Sequence, residues 1–178
     1  LSIDTCGDGI CQSFESCEDC PDDCGTCKPS VNINITLPLG SESKKFAGID
    51  MHLFKDIWVP EEQIVERFLN ATKICIYYGA NAPCVDCDRY SGKRIKLILE
   101  SLGFDTCLSS SSELCDGCQR TVLIGGPVAN PLVNESLYYD LANGSKGIIY
   151  TDGKTLVVAG KDRRVTGRCS KIVEDWLS

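Results

Sequence analysis

The pattern of hydrophobic and polar residues changes along the chain. Val31, Ile33, Ile35 and Leu37 alternate with polar residues, which is the period-2 pattern of a strand with one buried face. Before them the chain is rich in Cys and Asp, and from residue 60 onward helical stripes alternate with short apolar runs. These changes divide the chain into a head at 1–28, a strand-like connector at 29–59 and a body at 60–178.

Four stretches of the body are predicted to be helices. Pro60, Asp88, Asn130 and Asp162 favour helix starts, and Gly103 favours the end of the second helix. In three stretches, apolar residues recur at the spacing of one helix face. These positions are Ile64, Val65, Phe68 and Leu69; Ile95, Ile98, Leu99 and Leu102; and Val165, Cys169, Ile172, Val173 and Trp176.

Apolar runs bounded by turn residues predict strands between these helices. We expect strands at residues 73–79, 121–124, 148–150 and 155–159, with a hairpin turn at Asp152-Gly153 joining the last two. Alternating strands and helices predict an α/β fold, with a largely parallel sheet flanked by helices in three layers. A chain of 178 residues can bury one such core and carry a small disulfide-rich knot at its N-terminus.

Thirteen cysteines predict that disulfides hold the chain together. Most of them would have no role in a reducing compartment unless they bound metal. Because the number is odd, we expect one cysteine to stay unpaired or to bridge to another chain, and the spacing alone assigns no pairing. The cysteines are Cys6, Cys11, Cys17, Cys20, Cys24, Cys27, Cys75, Cys84, Cys87, Cys107, Cys115, Cys118 and Cys169.

Four Asn-X-Ser/Thr triplets are a second indication of export. They begin at Asn34, Asn70, Asn134 and Asn143 and are acceptor sites for N-linked glycans. Together with the cysteines they predict an extracellular protein that has lost its signal peptide, since the sequence contains neither a leader nor an apolar run of about 18 residues. A cytosolic metal-binding protein is the alternative.

The negative charge is concentrated in the head. The chain has a net charge of -7, and residues 1–27 carry seven carboxylates with no Lys or Arg, so the remaining 18 acidic and 18 basic residues balance. No basic stripe is present, which argues against a nucleic-acid partner. The acidic excess instead favours cation binding in the head.

The head matches much of a calcium-loop template. Asp4, Asp8, the Ile10 carbonyl and Glu15 fall at ligand positions 1, 5, 7 and 12, and Asp23 could complete the shell. A cysteine stands at position 3, where Asp or Asn is usual. We therefore predict calcium in the head, with a disulfide knot and merely solvated carboxylates as the alternative.

The head also resembles a known secreted repeat. The string CGDGICQSFESCEDCPDDCGTC is similar to a Cys-rich repeat of archaeal and bacterial exported proteins, which has the form CGDG-x-C followed by CP-x-D-C-G. This resemblance covers about 25 residues. It implies export and a cross-linked module supported by a cation, without catalytic activity.

Three segments of the body resemble the α/β domain of archaeal S-layer proteins. They are IYYGANAPCVDC, VLIGGPVANPL and TLVVAGKDRRVTGRC, and the resemblance extends over residues 73–176. In that family each segment is a strand followed by a Gly-containing turn and a helix, and the domains build a cell-surface lattice. The resemblance implies a structural protein that self-associates or binds other cell-surface proteins, as an S-layer component or a filament subunit. The added cysteines and the short chain depart from the family pattern.

The body offers one enzyme hypothesis and one metal hypothesis. Cys84 and Cys87 lie between a strand and a helix, where a thioredoxin-like fold places its redox pair, so a secreted thiol-disulfide oxidoreductase is the alternative function. With Cys115 and Cys118 they form two CxxC pairs that could hold tetrahedral zinc. Export favours disulfides at these positions over zinc.

The remaining motifs do not predict catalysis. His52, the single histidine, has apolar neighbours and is expected to be partly buried without acting as a base. Gly125-Gly126-Pro127 predicts a tight turn, since the glycine spacing of phosphate-binding loops is missing. The serine run 109–112 predicts a loop. We therefore expect no enzyme, and one assembly hypothesis is that the strand 31–37 pairs with the sheet edge of a neighbouring subunit.

Overall fold

The computed structural model describes residues 6–178, and Asp4 of the predicted calcium loop lies outside this range. An eight-stranded sheet forms the centre of the fold. The strands are β1 (Ser43–Phe46), β2 (Ile49–Phe54), β3 (Ile57–Pro60), β4 (Lys73–Tyr78), β5 (Asp105–Ser110), β6 (Arg120–Ile124), β7 (Gly147–Thr151) and β8 (Thr155–Gly160). The helices are α1 (Pro21–Cys24), α2 (Glu62–Leu69), α3 (Val85–Ser101), α4 (Glu135–Ala142) and α5 (Arg163–Leu177).

The sheet is mixed and has the order β1-β2-β3-β7-β8-β6-β4-β5. Strands β8, β6, β4 and β5 run parallel to one another, and β3 pairs with β7 in parallel. The pairs β1–β2, β2–β3 and β7–β8 are antiparallel. The predicted α/β class, with helices on a largely parallel sheet and a disulfide-rich N-terminal region, is confirmed. Strands β1 to β3 come from the connector, so the connector and the body share one sheet.

Alternate residues of each strand face two separate cores. In β4, Ile74 and Ile76 point toward the core beneath α2, α3 and α5, and Cys75 and Tyr77 point toward the core beneath α4. All four side chains are buried. Burial on both faces explains the near-continuous apolar runs that identified the central strands in the sequence.

The segment 31–37 is not a strand, which corrects the prediction from its period-2 pattern. The pattern did identify the buried face, because Ile33 is 7% exposed and Val31, Ile35 and Leu37 pack against the same core. The segment packs on the core beneath α2, α3 and α5, and no strand within residues 6–178 pairs with it. Pairing of this segment with a neighbouring subunit stays a hypothesis.

Three predicted helix starts are wrong. Pro60 ends β3, and α2 begins two residues later with Glu61 as its N-cap. Asp88 lies inside α3, which already begins after Cys84. Helix α4 is capped by Asn134, whose Oδ1 accepts a hydrogen bond from the Leu137 amide at 2.9 Å.

Other local predictions have mixed outcomes. The Asp162 cap is confirmed, since its Oδ1 accepts hydrogen bonds from the amides of residues 164 and 165. The hairpin around Asp152-Gly153 is confirmed as the link between β7 and β8. Of the predicted loop at 109–112, Ser109 and Ser110 belong to β5, because they pair with β4. Ser111 and Ser112 lie in the turn that follows, as predicted.

Candidate functional site

A cavity of about 970 Å³ opens at the carboxyl ends of β4, β6 and β8. Helix α3 leaves β4 toward one face of the sheet, and the chain after β6 leads to α4 on the other face. The two connections therefore separate between neighbouring parallel strands, at a topological switch point, where α/β folds commonly bind ligands.

The backbone approaches itself closely around this cavity. A Cβ atom at Gly79 would lie 2.6 Å from the Ala129 carbonyl oxygen, so only glycine fits there. Asn130, which is fully buried, donates hydrogen bonds from Nδ2 to the carbonyls of Tyr77 and Ile124, each at 3.1 Å. Asn130 thus joins the ends of β4 and β6, a role that its position before a proline did not indicate.

Asp88 lines the cavity from the first turns of α3. Its side chain is 6% exposed and has no hydrogen bond or ion pair with any residue between 6 and 178. A Cβ atom at Gly125 would lie 3.1 Å from Asp88 Oδ2, so the carboxylate lies directly against this turn. Burial raises the pKa of Asp88 to about 6. The sequence indicated Asp88 only as a helix cap, although its spacing from Cys84 places both residues on one helix face.

The outer part of the cavity is aromatic and charged. The rings of Tyr138 and Tyr139 meet edge to face with their centroids 5.3 Å apart, and the Tyr138 hydroxyl donates to the Gly160 carbonyl at 3.3 Å. Burial is the main cause that raises the pKa of Tyr138. Lys161 and Arg163 line the cavity and are exposed.

Cys84 and Cys87 form a disulfide at the start of α3. Cys84 lines the cavity and its Sγ accepts a hydrogen bond from the Cys87 amide at 3.2 Å, while the side chain of Cys87 is exposed. A thiolate at a helix N-terminus is stabilised by the amide groups there. If the bond were reduced, the Cys84 sulfur would have this environment.

The other body cysteines pair around β4 and β5. Cys75 bonds to Cys118, and Cys107 bonds to Cys115. The four cysteines considered for zinc are therefore divided among three disulfides. Cys169 is the one unpaired cysteine and is completely buried in α5. Burial raises the pKa of the Cys169 thiol to about 12.

Three disulfides hold the head, and one carboxylate organises its first loop. The bonds join Cys6 to Cys20, Cys11 to Cys24 and Cys17 to Cys27. Asp23 accepts hydrogen bonds from the amides of Gly7 at 2.7 Å, Gly9 at 2.9 Å and Asp8 at 3.3 Å. Desolvation raises the pKa of Asp23, but these amide hydrogen bonds outweigh it and lower the pKa.

The residues predicted to bind calcium make protein hydrogen bonds. Asp8 accepts from the Ile10 amide at 2.9 Å and from Gln12 Nε2, and Glu15 accepts from the Gln12 amide at 3.0 Å. Asp23 also lies within 4.8 Å of the Cys6 and Cys20 sulfurs, but these two sulfurs form a disulfide. Calcium in the head stays a prediction.

The predicted glycan acceptors Asn34, Asn70, Asn134 and Asn143 are all exposed, and their glycosylation stays a prediction. His52 is partly buried in β2, with its Nε2 3.0 Å from Glu61 Oε1.

Within residues 6–178, no helix has the length and apolar character needed to cross a membrane. In comparisons with known proteins, neither a family model nor a curated protein matches the chain.

Proposed function

We propose that the chain is an extracellular structural or assembly protein of the cell surface, either S-layer-associated or filament-forming. The observation that carries this proposal is the pairing of twelve of the thirteen cysteines in six disulfides, three in the head and three in the body. Such a density of disulfides is typical of proteins from oxidising compartments. Cross-linking on this scale suits a protein whose work is mechanical. Calcium in the head and glycans on the exposed asparagines belong to the same proposal.

Assembly would use the β5 edge of the sheet. The opposite edge, β1, is four residues long and exposes Lys44 and Lys45, and lysines on an edge oppose strand pairing. Strand β5 has six residues and is uncharged after Asp105. We infer that β5 of a second copy pairs antiparallel with this edge, since the same strand then serves both subunits of a twofold dimer.

The pairing with β4 indicates which β5 amides face outward. The amide of Asp105 donates to the carbonyl of Thr72, just before β4, and the amide of Ser111 donates to the carbonyl of Tyr78, at the end of β4. Because the direction of the amides alternates along a strand, the Thr106 amide points away from β4. A proline at position 106 removes this outward donor and leaves the ladder with β4 intact.

Analytical ultracentrifugation of the full chain tests the proposal. We expect the natural protein to self-associate as its concentration rises, and Thr106→Pro to weaken this association at least about tenfold. Thr106→Val is the matched control, because it also loses the Thr106 hydroxyl bond to Glu100 but keeps the amide. A protein that stays monomeric and binds no cell-surface preparation would overturn the structural function. Association that is equal in both variants would overturn only the β5 interface.

Mass spectrometry and elemental analysis of protein from its source test the other parts of the proposal. We expect a mass that corresponds to six disulfides, with added glycan mass and bound calcium. Free thiols with stoichiometric zinc and no glycan would contradict an extracellular role and favour an intracellular metal-binding protein.

A secreted thiol-disulfide oxidoreductase is the second candidate function. It is favoured by the position of the Cys84–Cys87 disulfide, at a helix N-terminus beside the cavity with one exposed sulfur. The dithiol form would transfer two electrons and two protons to a substrate disulfide, which leaves a substrate dithiol and the Cys84–Cys87 bond. An external dithiol would restore the reduced form.

An insulin-reduction assay with dithiothreitol separates the two candidates. An oxidoreductase accelerates insulin reduction, and Cys84→Ser abolishes the acceleration. Cys169→Ser is the control, because this thiol is buried away from solvent. A rate equal to that of dithiothreitol alone would exclude this activity and leave the disulfide as a structural bond.

A further inference from the structure

The cavity contains a charged group for which the fold provides no partner. Asp88 is only 6% exposed, and its carboxylate has neither a counterion nor a hydrogen-bond donor in the part of the chain that the structure describes. An ionised carboxylate in such surroundings is costly unless it is paired. The cavity is also far larger than this one group needs, at about 970 Å³. The unpaired acceptor and the space in front of it both point to a ligand.

The other charged groups around the cavity lie near its mouth. Asp140 of α4 and Lys161, Asp162 and Arg163 at the start of α5 are all exposed, and the phenols of α4 form one wall. Asp88 is therefore the single buried charge among the lining residues. A ligand that reaches Asp88 meets a negative group at the inner end and apolar or aromatic surface along the way.

The inner end of the cavity disfavours an anion. Helix N-termini often bind anions through free amides, but the Cys87 amide at the start of α3 already donates to Cys84 Sγ. At the start of α5, the amides of Arg164 and Val165 both donate to Asp162 Oδ1. An anion at the inner end would also be repelled by the Asp88 carboxylate.

We propose that the cavity binds an organic cation, in which an ammonium group on an apolar or aromatic body pairs with the Asp88 carboxylate. An ammonium supplies both the missing countercharge and up to three hydrogen-bond donors. The rings of Tyr138 and Tyr139 offer faces and edges against which the apolar body can pack. Val128, which is 76% exposed, adds apolar surface at the mouth. This site is independent of assembly through β5, because the cavity lies at the strand ends and not along the sheet edge.

Isothermal titration with two probes of nearly equal shape tests the proposal. Tryptamine carries an ammonium group, and tryptophol carries a hydroxyl at the same place. At pH 7.5 we expect tryptamine to bind at least about tenfold more tightly than tryptophol. Asp88→Asn removes the charge with little change in volume, and it should abolish this preference.

Asp140→Asn is the matched control, because it removes an exposed carboxylate at the mouth of the same cavity. We expect it to change the affinity for tryptamine by less than about threefold, since exposed charge pairs contribute little. Lowering the pH through about 6 should weaken tryptamine binding to the natural protein, because Asp88 then gains a proton.

Three results would overturn the proposal. They are the absence of saturable tryptamine binding, equal affinities for tryptamine and tryptophol, and equal losses in the two Asn variants. Circular dichroism of Asp88→Asn confirms that a loss of binding is not a loss of folding. None of these outcomes depends on self-association or on insulin reduction, so the ligand site and the proposed function can fail separately.

Discussion

An isolated buried carboxylate makes a specific prediction about stability. Replacing Asp88 by Asn should stabilise the ligand-free protein at neutral pH, although Asp88 lies in a cavity that we propose to be functional. The side chain makes no hydrogen bond or ion pair with residues 6–178 that the replacement could remove. The variant therefore loses a desolvated charge and keeps the size of the side chain.

The magnitude follows from the pKa of Asp88. The folded protein raises this pKa from the ordinary value of 3.8 to about 6, so the native state binds more protons than the unfolded state between these pH values. The natural protein consequently loses stability as the pH rises through this window. At about 1.4 kcal/mol for each pH unit, the loss approaches about 3 kcal/mol above pH 7. Asn does not titrate and avoids the loss.

Guanidinium unfolding with the disulfides intact measures the effect. The advantage of Asp88→Asn over the natural protein should rise from about 1 kcal/mol at pH 4.5 to about 3 kcal/mol at pH 7.5. The second value corresponds to a melting temperature about 6 to 12 °C higher for a chain of this size. Asp140→Asn, which removes an exposed carboxylate, should stay within about 0.5 kcal/mol of the natural protein.

Two results would refute this reasoning. One is an Asp88→Asn advantage that does not change between pH 4.5 and pH 7.5, which would mean that charge is not its cause. The other is a variant less stable than the natural protein at pH 7.5, which would mean that the carboxylate has a favourable partner in the folded state.

Three further predictions concern other buried or hydrogen-bonded groups. Asn130→Ala should lower the free energy of unfolding by about 2 to 4 kcal/mol, because two buried carbonyls lose their donor. The control Asn81→Ala, at an exposed position, should change it very little, and equal denaturation midpoints for the two variants would contradict this. Cys169 should resist iodoacetamide in the folded protein and react only after unfolding, as mass spectrometry can follow. Asp23→Asn should speed proteolysis of the head. Because the folded protein lowers the pKa of Asp23 below 3.8, its stabilising effect is complete above that pH and is lost on further acidification, which should also speed cleavage. Unchanged cleavage would show that the disulfides alone order the loop.

The sequence predicted the central strands and the last helix because local and tertiary preferences agree there. Asp162 is followed by an amphipathic stripe and has no competing partner, so it caps α5 as expected. Strand β5 was missed for the opposite reason. Its sequence, DTCLSS, is largely polar, and it becomes a strand because β4 offers a parallel partner along its whole length.

The site residues depended on contacts between distant parts of the chain. Asn130 and Asn134 are both good helix caps by sequence, and the choice between them follows from two carbonyls, one of which lies 53 residues away. Asp88 is likewise a good cap by sequence, but Cys84 begins the helix one turn earlier. Once inside the helix, Asp88 must face either solvent or the sheet, and only the fold determines which. The six cysteines of the head allow 15 pairings, so spacing could not select the three that form.

The disulfides around β4 give a physical reason why the cavity can retain an unpaired charge. Cys75 and Cys118 are 43 residues apart. A disulfide that closes a loop of that length lowers the conformational entropy of the unfolded chain and stabilises the folded state by about 4 kcal/mol. This gain is comparable to the cost of about 3 kcal/mol assigned to the Asp88 carboxylate at neutral pH. Cys75 lies in β4, the strand whose carboxyl end leads into α3 and the cavity. The stabilisation from the Cys75–Cys118 disulfide, a bond that forms in oxidising compartments, therefore offsets the cost of the Asp88 carboxylate. In our proposal a bound cation would remove that cost and stabilise the fold further.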